Sequence, residues 1–152
     1  SVSDNLMLSI RSRFGANMIE KNDLFKSLIA RRDIARIIAM VGDQAPKHDA
    51  NVLWTEFLHQ ETNFFTGGER IAVKMNMPVL YVEMKRTKRG HYAIAFEVLS
   101  ESPAQEQKNE ITEKFVRAME KTIRQYPSDW LWSHKRWKYA YKSPRKKPHA
   151  SF

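Results

Sequence analysis

The spacing of apolar positions changes several times along the chain, and the changes mark its elements. Leu6, Leu8 and Ile10 stand among polar residues after Ser3, which offers an N-cap, so Asp4 to Arg13 is predicted to form a short amphipathic helix that Gly15 ends. Ala16 to Glu20 has the length of a brief strand. Asn22 and Asp23 then open a second helix through Arg32, with Leu24, Leu28 and Phe25 toward its inner side. Ile34 to Val41 is nearly continuous apolar, the signature of a central parallel strand buried on both faces. It runs directly into Gly42, Asp43 and Gln44, a polar triplet at a carboxyl end, where ligands bind in open α/β sheets.

After Pro46, Val52 to His59 reads as a strand or extended segment, and Gly67 and Gly68 lead into a helix from Glu69 to Asn76. Pro78 starts another apolar strand, Val79 to Met84, followed by a turn over Arg86 to Gly90. Tyr92, Ile94, Phe96 and Val98 alternate with Ala93, Ala95 and Glu97, which predicts an antiparallel partner strand. Ser102, Pro103 and Gln105 resemble a capping-box start to the longest helix, along which Ile111, Phe115, Met119 and Thr122 recur at helical spacing. Glu110 with Lys114, Glu113 with Arg117 and Glu120 with Arg124 lie four apart in the favourable order. Pro127 stops the helix. Helices alternating with apolar strands predict an α/β fold with a mostly parallel central sheet flanked by helices and one antiparallel strand. Residues 1–142 are expected to form one such domain, and residues 143–152 a basic, flexible tail.

At 152 residues the chain is long enough for a real core. It has no cysteine, which removes disulfides and thiolate metal sites from consideration. Its longest apolar runs, Ile37 to Val41 and Pro78 to Val82, fall far short of the ~18 to 20 residues a membrane span needs. The net charge of +9 is concentrated at the C-terminus. From Trp130 onward there are Lys135, Arg136, Lys138, Lys142, Arg145, Lys146 and Lys147 and no acid, leaving the rest near +2. Such an end suits an anionic partner: nucleic acid, a phospholipid surface or a phosphorylated substrate.

Standard chemical signatures are absent. There is no G-x-G-x-x-G, no Walker loop, no G-x-S-x-G and no H-E-x-x-H, and the five histidines are scattered without metal-ligand spacing. A basic, aromatic stretch such as Trp130 to Lys147 also suits a nucleic-acid-binding module, since aromatics stack on bases and cations neutralise phosphates. No recognised nucleic-acid motif accompanies it.

Taken in order, several segments form a pattern. They are Arg11-Ser12-Arg13-Phe14-Gly15, Gly42-Asp43-Gln44, Asn63-Phe64-Phe65-Thr66-Gly67, Met77-Pro78-Val79, and Trp130-Leu131-Trp132-Ser133-His134-Lys135-Arg136-Trp137-Lys138. From about Asn5 to Lys138 the chain resembles the second half of the bacterial lipid A biosynthesis acyltransferases, the lauroyl and myristoyl transferases of the glycerolipid acyltransferase superfamily. The closing tryptophan-rich stretch carries the resemblance best, and the Asp-Gln pair followed by two phenylalanines and glycine carries it second.

The resemblance implies transfer of a fatty acyl chain from an acyl carrier protein or coenzyme A thioester to a hydroxyl of lipid A or a related lipid. It implies no cofactor, and a peripheral place at the cytoplasmic face of the bacterial inner membrane. Arg11 and Arg13 match the block that grips phosphate, which two guanidiniums can do bidentately; a solvated helix face explains them equally. Asp43 and Gln44 match the acceptor-pocket block, or an ordinary turn cap. Phe64, Phe65 and Gly67 are expected to border the acyl channel, although buried aromatics also serve as plain core. Trp130 and Trp132 are expected to pack on the sheet with His134 structural, while Lys135, Arg136 and Lys138 face phosphorylated lipid or the anionic membrane surface. The superfamily's H-x-x-x-x-D dyad, a histidine base oriented by aspartate, is missing: the residues five after His48, His59, His91 and His134 are Leu53, Phe64, Phe96 and Tyr139. The dyad is therefore expected upstream of this chain, which alone is expected to be inactive. The other explanation is a non-catalytic relative that keeps the scaffold.

Overall fold

Antiparallel hairpins organise the strands. The computed structural model describes residues 2–20, 23–46 and 51–138, which fall into two compact units, Ser1–Ala39 and Met40–Phe152. The basic tail and His48 lie outside the described residues.

The first unit holds helices α1 (Val2–Ser12) and α2 (Leu24–Ala30). The glycine stop works as predicted: Gly15, at φ 85°, donates its N–H to the Ser12 carbonyl, a left-handed closure that favours glycine. Arg36 closes α2 from the far side, its Nη2 donating to the Leu28 carbonyl at 2.7 Å, where a cation also meets the negative end of the helix dipole. Ala16 to Glu20 forms no strand.

The expected central strand over Ile34 to Val41 does not form. The segment is irregular, with Ile37 92 % and Val41 77 % exposed. An apolar run encodes a demand for burial, but a strand also needs neighbours for its backbone groups. Among the described residues no strand pairs with this segment. The mostly parallel sheet flanked by helices is thereby overturned. In its place stand two separate two-stranded antiparallel sheets and four α-helices among the described residues.

In the second unit β1 (Val52–Phe57) and β2 (Gln60–Phe65) form a hairpin whose two-residue turn, Leu58 and His59, has φ of 50° and 63°. Turns of this hand match strand twist but favour Asn and Gly, so no sequence signal announces it. The Leu58 N–H is held by Glu120 Oε1 at 3.1 Å. Helix α3 (Gly67–Met75) follows and ends at Asn76 in the left-handed region. Next come β3 (Val79–Lys88) and β4 (His91–Ser100), antiparallel as their alternation predicts, with Leu80 opposite Val98, Val82 opposite Phe96 and Met84 opposite Ile94.

Ser102 starts only a single 3-10 turn, Pro103–Gln105, without a side-chain cap; the long helix α4 (Glu110–Gln125) begins after Asn109. Its predicted ion pairs are present at 3.1 Å (Glu110–Lys114), 3.0 Å (Glu113–Arg117) and 2.9 Å (Glu120–Arg124). Its inner side buries Ile111, Val116, Met119 and Ile123, and the last three join Phe57, Phe64, Tyr81 and Leu99 in one core cluster.

The cap for α4 comes from another element. Glu69, 8 % exposed on α3, accepts hydrogen bonds from the Thr112 N–H at 3.0 Å and from the Thr112 hydroxyl. A buried carboxylate at a helix N-terminus satisfies orphan donors and meets the positive end of the dipole. Glu69→Ala leaves the Thr112 groups unsatisfied, so urea unfolding is expected to show a loss of about 2 kcal/mol, with Glu69→Gln losing less.

Candidate functional site

Asp43, β3, α4 and the tryptophan-rich stretch meet at a groove of about 260 Å³, near the lower end of typical small-molecule pockets. Its walls include Met40, Val82, Met84, Phe115, Met119 and Trp130; its polar groups include Asp43, Tyr81 and Thr122. Gly42 lies against the Phe115 ring so closely that a Cβ there would stand 3.2 Å from it, which explains glycine before Asp43.

The Asp43 Oδ1 atom is buried and has no hydrogen-bond partner. Tyr81 donates its hydroxyl to Thr122 Oγ1 at 3.0 Å. Burial pushes the Tyr81 phenol up, the Thr122 bond opposes this, and the negative charges of Glu83, Glu97 and Asp43 add to the rise. At neutral pH the groove therefore offers apolar walls and a neutral phenol, with Asp43 among its lining residues. That set suits an apolar chain beside a hydroxyl donor.

The tryptophan-rich stretch is packed into the second unit and holds Asp43's segment in place. Trp130 and Trp137 pack on the fully buried Phe57, with ring centroids at 6.5 and 6.3 Å, and Trp137 Nε1 donates to Thr62 Oγ1 at 2.8 Å. Trp132, expected inside, is 56 % exposed, its Nε1 donating to the Pro127 carbonyl; Trp137 takes the interior place. His134 is structural: its Nε2 accepts the Ala45 N–H at 3.2 Å.

Arg136 is the largest correction to the expected site. It is 2 % exposed, not on a lipid-facing surface. Its guanidinium lies 4.4 Å from the Phe64 ring centroid and donates Nη2 to the Asn63 carbonyl, while Nε and Nη1 have no hydrogen-bond partner. Burial pushes its pKa down to about 10, and the charge of Asp43 acts in the opposite direction. A cation flanked by tryptophans reads as surface from sequence alone; only the three-dimensional neighbourhood of Phe64 and Asn63 reveals the interior site.

The other expected residues separate. Phe64 is buried in the core, T-stacked on Phe57 at 5.3 Å, and does not line the groove. Phe65 is 38 % exposed, and a Cβ on Gly67 would meet nothing within 4 Å. Gln44, Lys135 and Lys138 are exposed. Arg11 and Arg13 are exposed in the first unit, Arg13 lying 5.7 Å from the Phe14 ring centroid. Tyr81, Phe115 and Thr122 were missed as groove residues. For Tyr81 and Thr122 the one sequence signal is a polar group on an otherwise apolar strand or helix face; Phe115 carries none. Among the described residues no three His, Asp or Glu side chains gather as a metal site, and no helix is long and apolar enough to cross a membrane.

The family model of the bacterial lipid A biosynthesis acyltransferases matches residues 1–139. The chain belongs to that family. Searches of curated proteins and of solved structures find no match.

Proposed function

We propose that this chain supplies substrate-binding parts of an acyltransferase that moves a fatty acyl group from a thioester donor to a hydroxyl of lipid A or a related lipid. The observation that carries the reading is the groove at Asp43: an apolar cleft with one unpartnered carboxylate oxygen, within a chain of the lipid A acyltransferase family. In it Asp43 accepts a hydrogen bond from the acceptor lipid, and Met40, Phe115 and Met119 contact its apolar part. Arg11 and Arg13 bind phosphate of donor or acceptor. The base that removes the hydroxyl proton is not an H-x-x-x-x-D histidine of this sequence, so the chain alone does not turn over.

The test is an assay of the chain with a phosphorylated lipid A precursor and an acyl thioester. Binding of the precursor without transfer above the uncatalysed rate is expected, with Asp43→Ala weakening binding about tenfold, the worth of one hydrogen bond to a charged group. Nucleic-acid binding with a steep salt dependence, and no affinity for the precursor, would overturn the reading in favour of a nucleic-acid module.

A further inference from the structure

The β3–β4 hairpin carries apolar residues on both faces. On its inner face Tyr81 and Leu99 belong to the core. On its outer face the opposed pairs Leu80 and Val98, Val82 and Phe96, and Met84 and Ile94 are between 48 % and 66 % exposed. Tyr92, opposite Arg86, extends the face toward the turn and is 58 % exposed. On the scale at which one aromatic side chain offers 150–250 Å², these seven amount to roughly 700 Å². That exceeds the ~300–600 Å² of the largest apolar patch on a typical monomer.

Charge says what fits the face. Its two strand carboxylates, Glu83 and Glu97, stand in register with inner-face Tyr81 and Ala95, so no acid interrupts the outer face. Beyond Tyr92 the turn carries Lys88 and Arg89, both exposed. An acid-free apolar plane with an aromatic phenol and cations at one end complements an anionic lipid surface: apolar groups enter the acyl boundary, Tyr sits at headgroup level and cations meet phosphates. The face is also continuous with the groove, because Val82 and Met84 line both.

We infer that the outer face of the β3–β4 hairpin is a docking plane for an anionic lipid surface, placing the groove's rim at that surface. The docking rests on the face alone; the delivery of a lipid into the groove rests on the acyl-transfer reading. Flotation with vesicles of phosphatidylglycerol and phosphatidylethanolamine, containing neither lipid A nor thioester, tests it. Wild type is expected to float with these vesicles and not with pure phosphatidylcholine. Ile94→Glu/Phe96→Glu should weaken binding at least tenfold, and Lys88→Glu/Arg89→Glu several-fold, with wild-type circular dichroism retained. If the glutamate pair disturbs folding, Ile94→Ser/Phe96→Ser asks the same question. Wild type that ignores anionic vesicles overturns the proposal, as does a face variant that binds like wild type. A wild-type dimer in sedimentation that the face variant makes monomeric, with no vesicle binding, assigns the face to a second copy instead. Because these vesicles carry no acyl-transfer substrate, failure here leaves the precursor-binding result of Asp43→Ala standing, and the reverse also holds.

Discussion

Ending the chain after Asp129 is expected to abolish the cooperative unfolding transition of residues 40–129. The truncation removes Trp130 and Trp137, both packed on the fully buried Phe57, together with Arg136 against Phe64. Trp130 and Trp137 are half-buried, so removing each costs a good part of the about 3–5 kcal/mol lost on truncating a fully buried tryptophan, against a whole-domain stability of about 5–15 kcal/mol. Two such losses, with the Trp137 bond to Thr62 and the His134 bond to Ala45, consume most or all of that margin. Urea titration followed by circular dichroism should show a sloping curve without a midpoint. Trp132→Ala is the control: that ring is 56 % exposed, and its loss should cost under about 1 kcal/mol. A truncated protein that keeps the wild-type midpoint would make the stretch a free arm and return the nucleic-acid reading to the front.

The elements legible in sequence were those whose signal is local. Alternation in Tyr92 to Val98 announced β4 as an antiparallel strand, and glutamates four before basic residues in α4 made the ion pairs they promised. Gly15 closed α1 because a left-handed stop is a one-residue property. What failed depended on partners far along the chain. Ile34 to Val41 has the composition of a buried strand, but pairing belongs to the neighbouring strand as much as to the run itself. The β1–β2 turn was invisible because Leu58 and His59 adopt positive φ with help from Glu120, some sixty residues away.

The site divides the same way. Gly42 and Asp43 were found by their place after an apolar run, and they do border the groove, even though the run is not a strand. Phe64 was assigned to a channel and lies in the core, because an aromatic pair does not say which of its rings faces inward. Tyr81 and Thr122 bond to each other across β3 and α4 and line the groove, a meeting of two elements that their places in the chain do not show.

Arg136→Ala is expected to cost about 3–5 kcal/mol, the range for breaking a buried charged contact. The guanidinium fills space over Phe64, satisfies the Asn63 carbonyl and offsets the negative charge of Asp43, so alanine leaves a cavity, an orphan carbonyl and an uncompensated carboxylate. Lysine should not rescue it, because an ammonium cannot lie flat on the ring while donating to Asn63. Methionine in an Asp43→Asn background should recover at least half the loss, since it refills the volume and removes the charge left behind. A second readout separates charge from packing. Burial lowers the folded-state pKa to about 10, well below the ordinary arginine range, so in the window above 10 the unfolded chain holds protons that the folded chain has begun to release. Arg136's contribution to stability therefore grows as pH rises through that window and is lost as pH falls through 10. The deficit of Arg136→Met relative to wild type should widen by about 1 kcal/mol between pH 9 and pH 11. A deficit flat across that range would mean that the side chain acts by volume alone and that its charge is not held inside the fold.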